Sequence, residues 1–474
     1  MMSWVQKYMY VARSSLLTKR ICKLPRRQVQ RCFWTGGIWN KLGIRTVKQW
    51  VPSSSSMRWS HTLGPSSAGK LMNPSLAIDQ LSSDNDNKIL IVTWSDGAVS
   101  RYNTSWLRIN CHCSACKQPD SGQRLINITD FPAHLTIQTS SYQHDGESGF
   151  IRVKFIEEDD HECIVPVTWL KQHSYSPIDL EVKARLRDVK YLDSTIKSFG
   201  WADVASSESD LFEWLDHLNT YGVTILNNVP LSHESVSKVA NLIGPVTETL
   251  YGSSFDVRSE DKPINVAYSS VSLGFHIDLA YYESPPGLQL LHCLQFDDVV
   301  TGGESIFIDA FHIAEEFRRK FPHHFDSLTR IPATFQKFHF ERANPAAYIY
   351  QRPHINVNSR TGQITAVTWS PPFEGPLFVP EEDVEPYYQA YREFSNQLET
   401  SDKVVSYRLQ EGDCVIFNNR RILHGRTQFQ QNGGVRHLRG CYVNIDDFRC
   451  KVQYLHEKRG LGQLAKRVGN QCMF

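Results

Sequence analysis

From about residue 223 to 445, glycine and proline cut the chain into short runs rich in β-branched and aromatic residues, such as "VTILNNV" and "CVIFNN". That punctuation constrains the fold more than any other feature. Two downstream stretches break the pattern and read as helices, "AFHIAEEFRRKF" and "PEEDVEPYYQAYREFSNQLET". Many short strands with few helices predict a mainly β (α+β) fold. The expected architecture is a β-sandwich or jelly roll dressed with helices, not a parallel α/β sheet. Just upstream, Leu211, Leu215 and Leu218 fall at helical spacing behind polar capping residues, and Gly222 ends that helix.

A second, smaller β-rich unit is expected over residues 80–175. "KILIVTWSDGAVSRY" reads as two strands about an Asp-Gly turn, and "FIRVKFIEEDDHECIVPVTWL" repeats strand, acidic turn, strand. Each run is followed by Trp-Leu, at Trp106-Leu107 and Trp169-Leu170, a weak internal echo. "KQHSYSPIDLEVKARLRDVKY" is the connector to the larger unit, placed at residues 190–474.

The net charge of +1 conceals an asymmetry. Residues 1–78 hold 13 Lys or Arg and no Asp or Glu, so the remainder carries −12. An acid-free, Ser-rich start with Trp4, Tyr8, Tyr10, Leu16 and Leu17 among its basic residues fits an amphipathic mitochondrial transit peptide, assigned to residues 1–60. The expected location is the mitochondrial matrix. The acidic remainder argues against a nucleic-acid partner. No apolar run approaches the ~18 residues that cross a bilayer, so no membrane span is expected.

Eleven cysteines, an odd number without a dense framework, point to a reducing compartment. "NCHCSACKQ" gathers Cys111, Cys113 and Cys116. Three thiolates this close are three corners of a tetrahedral structural zinc site, which would stabilise a small β unit. His161 is the candidate fourth ligand, with His112 and Cys163 as competitors.

The chemistry is expected in "GFHIDLAYYESPPGLQLLHCL". On a strand, His276 and Asp278 share a face. Far downstream, in "GDCVIFNNRRILHGRTQFQQNGGVRHLRGCYVNI", stands His424. Two histidines and one carboxylate make the facial triad that leaves iron positions open. Arg436 is placed to pair bidentately with a dicarboxylic cosubstrate, and Arg426 is its rival. The "QNGG" turn suggests one hairpin joining the His424 and Arg436 strands; a three-residue loop with a glycine bulge would bring both to one face. His292 reads as a core histidine, and His323 and His324 as helix surface.

The ordered set "NVAY", "FHID", "PPGLQLLHC", "TGGES", "GDCVIFNN", "LHGR" and "RHLRGCY" resembles the γ-butyrobetaine dioxygenase and trimethyllysine dioxygenase family. The resemblance covers nearly the whole chain after the presequence, including the small N-terminal unit. It implies a double-stranded β-helix (jelly roll) catalytic domain preceded by a small zinc-binding domain, and a homodimer. It also implies Fe(II) on His276, Asp278 and His424, and 2-oxoglutarate held by Arg436, with O2 as co-reactant and ascorbate as reductant. "C-x-C-x2-C" with a later histidine and "SPPGLQLLHC" lean toward the butyrobetaine branch; "RGCYVNIDD" and the mitochondrial address lean toward the trimethyllysine branch.

Both substrates carry a trimethylammonium group, which suits a box of aromatic faces. Tyr251, Phe255 and Tyr442 match cage positions of the butyrobetaine enzyme, whereas Leu279 stands where that enzyme has a tyrosine; Tyr281 and Tyr282 are the residues available to compensate. Asn265 and Tyr268, in "NVAY", match pocket positions, Asn265 toward a substrate carboxylate. The expected reaction is hydroxylation of γ-butyrobetaine to L-carnitine. The alternatives are the same chemistry on trimethyllysine, or a jelly-roll protein that binds a metal or cation without turnover.

Overall fold

A computed structural model describes residues 77–145, 148–258, 270–341, 345–461 and 465–466. The leader expected over residues 1–60 lies outside the described residues, as do Asn265 and Tyr268.

Two three-stranded antiparallel sheets build the N-terminal part. One is Ile78–Ser83, Ile89–Trp94 and Val99–Asn103; the other is Ile137–Asp145, Ser148–Phe155 and Glu158–Pro166. Asp96 and Gly97 (φ +79°) make the expected turn, Asp96 Oδ1 accepting from Ala98 N at 2.9 Å. The Trp-Leu echo has a structural counterpart, because each sheet runs directly into a short helix, Thr104–Ile109 or Val167–Gln172. Leu107 and Leu170 are buried in one shared core. Trp106 and Trp169 meet with ring centroids 5.5 Å apart.

The larger part holds two facing sheets. The six-stranded sheet runs Ser198–Gly200, Val223–Asn227, Cys414–Asn418, Leu288–Phe296, Arg436–Val443, Phe255–Val257. The four-stranded sheet runs Leu273–His276, Ile422–Arg426, Ser305–Asp309, Val405–Tyr407. Only the first pair of the larger sheet is parallel. Leu291, Phe417 and Leu438 from one sheet and Phe307 and Val405 from the other bury a common core, with Phe307 edge-on to Phe417 at 5.5 Å. This is the expected jelly-roll arrangement. Alternation along Leu288–Phe296 turns Gln289 and Leu291 toward an internal cavity. It turns Leu288 and Leu290 toward the helices Glu208–Tyr221, Ser235–Ile243 and Ile445–Lys458. The first of these helices starts at Ser207, whose Oγ accepts from Asp210 N, and stops at Gly222 (φ +83°).

The hairpin expected between the His424 and Arg436 strands does not form. The tight turn is present, with Asn432 at φ +51°, Gly433 at φ +83° and Gly434 N bonded to Gln431 O at 2.7 Å. Its arms pair elsewhere: Phe429–Gln430 with Thr301–Gly302, and Arg436–Val443 with Leu288–Phe296 and Phe255–Val257. Every residue of Arg436–Val443 but Arg439 is buried. Such a strand needs hydrogen-bonded neighbours on both edges, and a place inside the larger sheet supplies them. His424 and Arg436 therefore reach one cavity from opposite sheets, not from one face of a hairpin.

Candidate metal and cosubstrate site

His276 ends the strand Leu273–His276 and lies in direct register with His424 on Ile422–Arg426, their rings 4.2 Å apart. Asp278 follows just beyond the strand, so its aim comes from a loop rather than from strand alternation. Leu279 at φ +57° bends that loop. The Asn419 side chain grips it at both backbone groups, accepting from Asp278 N at 2.9 Å and donating to Asp278 O at 3.0 Å. From the facing side, Ile277 N donates to Trp369 O at 2.8 Å. One ligand atom from each of His276, Asp278 and His424 lies within 4.8 Å of the others.

The protonation states suit a cation. His276 Nδ1 donates to the Gly274 carbonyl at 2.9 Å, which turns Nε2 toward Asp278 Oδ1 at 3.4 Å. Burial, reinforced by the neighbouring His276, pushes His424 down to about 3, so it is a neutral imidazole at physiological pH. Burial alone would raise Asp278, but hydrogen bonding to His276 and Tyr442 and the adjacent imidazoles hold its carboxyl below the usual carboxylate range. No Lys or Arg is salt-bridged to Asp278 among the described residues. Two imidazoles and an ionised carboxylate around one point fit divalent iron with open positions.

The same cavity is lined by two arginines. Arg436 Nε donates to Gly303 O at 3.2 Å, and Arg426 donates to Val271 O at 2.6 Å. Their guanidinium carbons stand 5.8 and 4.8 Å from the centre of the Phe429 ring. Burial pushes each down to about 10, and for Arg436 the charge of Arg426 adds to the effect. No carboxylate is salt-bridged to Arg436 among the described residues. Two buried cations beside one cavity favour a bound anion, and a distal carboxylate meets that need. The Arg426 rivalry thus ends with both arginines on one cavity.

Aromatic rings line another part of the wall. Tyr251 and Phe255 lie 5.9 Å apart, and Phe255 stacks on Tyr442 at 5.1 Å and 27°. Leu279 lines the cavity as well. Neither candidate for its compensation is among the lining residues: Tyr281 is buried with its ring edge-on to Phe373, and Tyr282 accepts from Leu250 N and stacks on Tyr348. Phe373, from the short turn Pro371–Phe373, is the additional aromatic, and sequence reading missed it. Its only signal was an aromatic after Pro-Pro, far from every motif. Gln289 and Asn419 were missed too, a glutamine inside the apolar "LQLLHC" and the second asparagine of "IFNN". His292, fully buried in Leu288–Phe296, does not line the cavity, in keeping with a core residue.

In the N-terminal part, ligand atoms of Cys111, Cys113, Cys116 and His161 lie within 4.8 Å of one another. Of the competitors, His112 Nδ1 bonds Asn110 O, while Cys163 donates to Leu107 O and also lies against Cys111. Cys111 Sγ accepts from the N–H groups of Cys113 and Ile164, and Cys116 Sγ from Arg108, contacts that suit thiolates. The eight described cysteines are all free of disulfides. Among the described residues no helix is long and apolar enough to cross a membrane.

Comparison with known proteins agrees with this geometry. Residues 81–170 match the model described as "Gamma-butyrobetaine hydroxylase-like, N-terminal", and residues 188–442 match "Taurine catabolism dioxygenase TauD, TfdA family". The chain is 32% identical to Dioxygenase str8 of Strobilurus tenacellus, over 73% of this chain and 83% of that protein. It is 30% identical to the gamma-butyrobetaine dioxygenase of Pseudomonas sp. (strain AK-1), over 77% and 93%. It is 27% identical to the trimethyllysine dioxygenase of Meyerozyma guilliermondii, over 78% and 94%.

Proposed function

Since this chain belongs to the TauD, TfdA family of dioxygenases and is an iron- and 2-oxoglutarate-dependent oxygenase, we propose that it hydroxylates γ-butyrobetaine to L-carnitine. Relatives named for both γ-butyrobetaine and trimethyllysine support a hydroxylase of carnitine biosynthesis. The observation that carries the finer reading is the cavity wall. It offers Tyr251, Phe255, Tyr442 and Phe373 to a quaternary ammonium, while Asp278 is its only acidic residue among those described.

In this reading His276, Asp278 and His424 hold Fe(II), and Arg436, assisted by Arg426, holds the distal carboxylate of 2-oxoglutarate. Iron with this cosubstrate and O2 supplies an oxidant that replaces C–H by C–OH, releasing succinate and CO2. The chain's own task is positioning. The aromatic faces fix the trimethylammonium end, Asn265 is assigned to the substrate carboxylate, and Tyr268 is assigned to the pocket. Which carbon faces the metal follows from that grip.

The grip is testable without turnover. γ-Butyrobetaine is expected to bind the iron(II)–2-oxoglutarate protein about tenfold more tightly than its uncharged tert-butyl analogue of the same shape, the difference being the cation–π attraction. Phe255→Leu should erase most of that preference. Equal affinities in calorimetry would remove the cage from the account. Trimethyllysine turnover exceeding that of γ-butyrobetaine in a side-by-side assay would move the chain to the other branch.

The remaining assignments belong to the same reading: structural zinc on Cys111, Cys113, Cys116 and His161, ascorbate as reductant, a homodimer, and domains at residues 80–175 and 190–474. A mitochondrial matrix location is supported by the basic, acid-free start and by relatives named as mitochondrial. For the zinc, elemental analysis is expected to find one atom per chain. Cys113→Ser should lose it and lower the unfolding temperature of that unit by on the order of 10 °C. Wild-type protein without zinc would reject the assignment.

A further inference from the structure

Asp278 is tethered beyond its role as a ligand candidate. Oδ1 faces His276 Nε2, while Oδ2 accepts two hydrogen bonds, from Tyr442 Oη and Gln289 Nε2, each 2.7 Å long. Gln289 comes from Leu288–Phe296 and Tyr442 from the adjacent Arg436–Val443, where the two residues are direct cross-strand partners. A carboxylate accepts only, so the glutamine must turn its NH2 toward Asp278. Its Oε1 is then left buried without a partner among the described residues. An apolar side chain of similar size would fill that place without stranding a carbonyl, so the stranded oxygen marks a side chain aimed at Asp278.

We infer that Gln289 and Tyr442 are positioning residues that reserve Asp278 Oδ2 and confine Asp278 to the metal through Oδ1 alone. A carboxylate free to swing could present both oxygens to the ion; with Oδ2 held by two hydrogen bonds, Oδ1 is the oxygen it would offer, and positions on the ion would stay open. Asn419 fixes the Asp278 backbone; Gln289 and Tyr442 fix the rotation of its carboxylate. Tyr442 has a second duty, because its ring stacks on Phe255 in the aromatic wall. The phenol is thus shared by the metal and by the substrate pocket. Only this second duty rests on the quaternary-ammonium reading.

The test uses full-length protein, Tyr442→Phe and Gln289→Met, with Fe(II) under argon and manganese(II) as an air-stable probe. Tyr442→Phe keeps the ring face and removes the hydroxyl. Gln289→Met keeps the volume and serves if the phenylalanine variant fails to fold. Each is expected to weaken metal binding about 10- to 100-fold. Each should also raise the ratio of succinate to hydroxylated product. A general packing defect would lower thermal stability without this selective loss of metal. Metal affinities within twofold of wild type in folded variants would overturn the inference. If metal binding weakens but no variant, nor the wild type, binds γ-butyrobetaine, the tether stands and the substrate reading falls.

Discussion

Asp278→Ala is expected to bring succinate and product formation to background while the chain stays folded. The carboxylate is the one anion in the donor set, and it sits beside two imidazoles rather than beside a Lys or Arg side chain. Without it the site offers two imidazoles on one side of an open cavity, too little to retain a divalent cation at cellular concentrations. Losing the metal forfeits several kcal/mol of barrier lowering, on the order of 10³-fold or more in rate. Iron content measured beside activity separates the causes. A variant that holds stoichiometric iron and keeps more than a tenth of wild-type turnover would remove Asp278 from the ligand set.

The second large effect is expected at Arg436. Arg436→Ala should raise the KM for 2-oxoglutarate about 100-fold, since truncating one partner of a buried, hydrogen-bonded charge pair costs about 2–5 kcal/mol. Arg436→Lys should recover little, because a point charge does not reproduce the planar fork. The sign is specific to the anion: quaternary-ammonium affinity should change little. Arg426→Ala is the internal comparison, as its guanidinium lines the same cavity. If Arg426→Ala raises the KM and Arg436→Ala does not, the distal carboxylate belongs to Arg426.

How far the site was legible depends on what fixed each residue. His276 and His424 are cross-strand partners, so motifs far apart in sequence meet in the structure. The helix behind Leu211, Leu215 and Leu218 was equally legible, since period, cap and Gly222 all agree on it. Arg436 reaches the cavity by a route other than the expected hairpin. Asn432-Gly433 makes the tight turn the dipeptide promises, yet the strand after it is buried along nearly its whole length and leaves for the other sheet. Local turn chemistry set the bend; burial set the partner. Phe373 was illegible because long-range bonds, Ile277 N to Trp369 O and Ser370 Oγ to Ile277 O, bring its segment to the triad. Gln289 and Asn419 looked like stray polar residues until their bonds to Asp278 gave them a direction.

The most direct test of the central claim is an incubation of the iron-loaded protein with 2-oxoglutarate, ascorbate, γ-butyrobetaine and ¹⁸O2, read by mass spectrometry. The account predicts one labelled oxygen in succinate and one in the new hydroxyl of L-carnitine, formed in nearly equal amounts. Labelled succinate with unmodified γ-butyrobetaine would contradict the substrate, and no labelled succinate under any substrate would contradict the site itself.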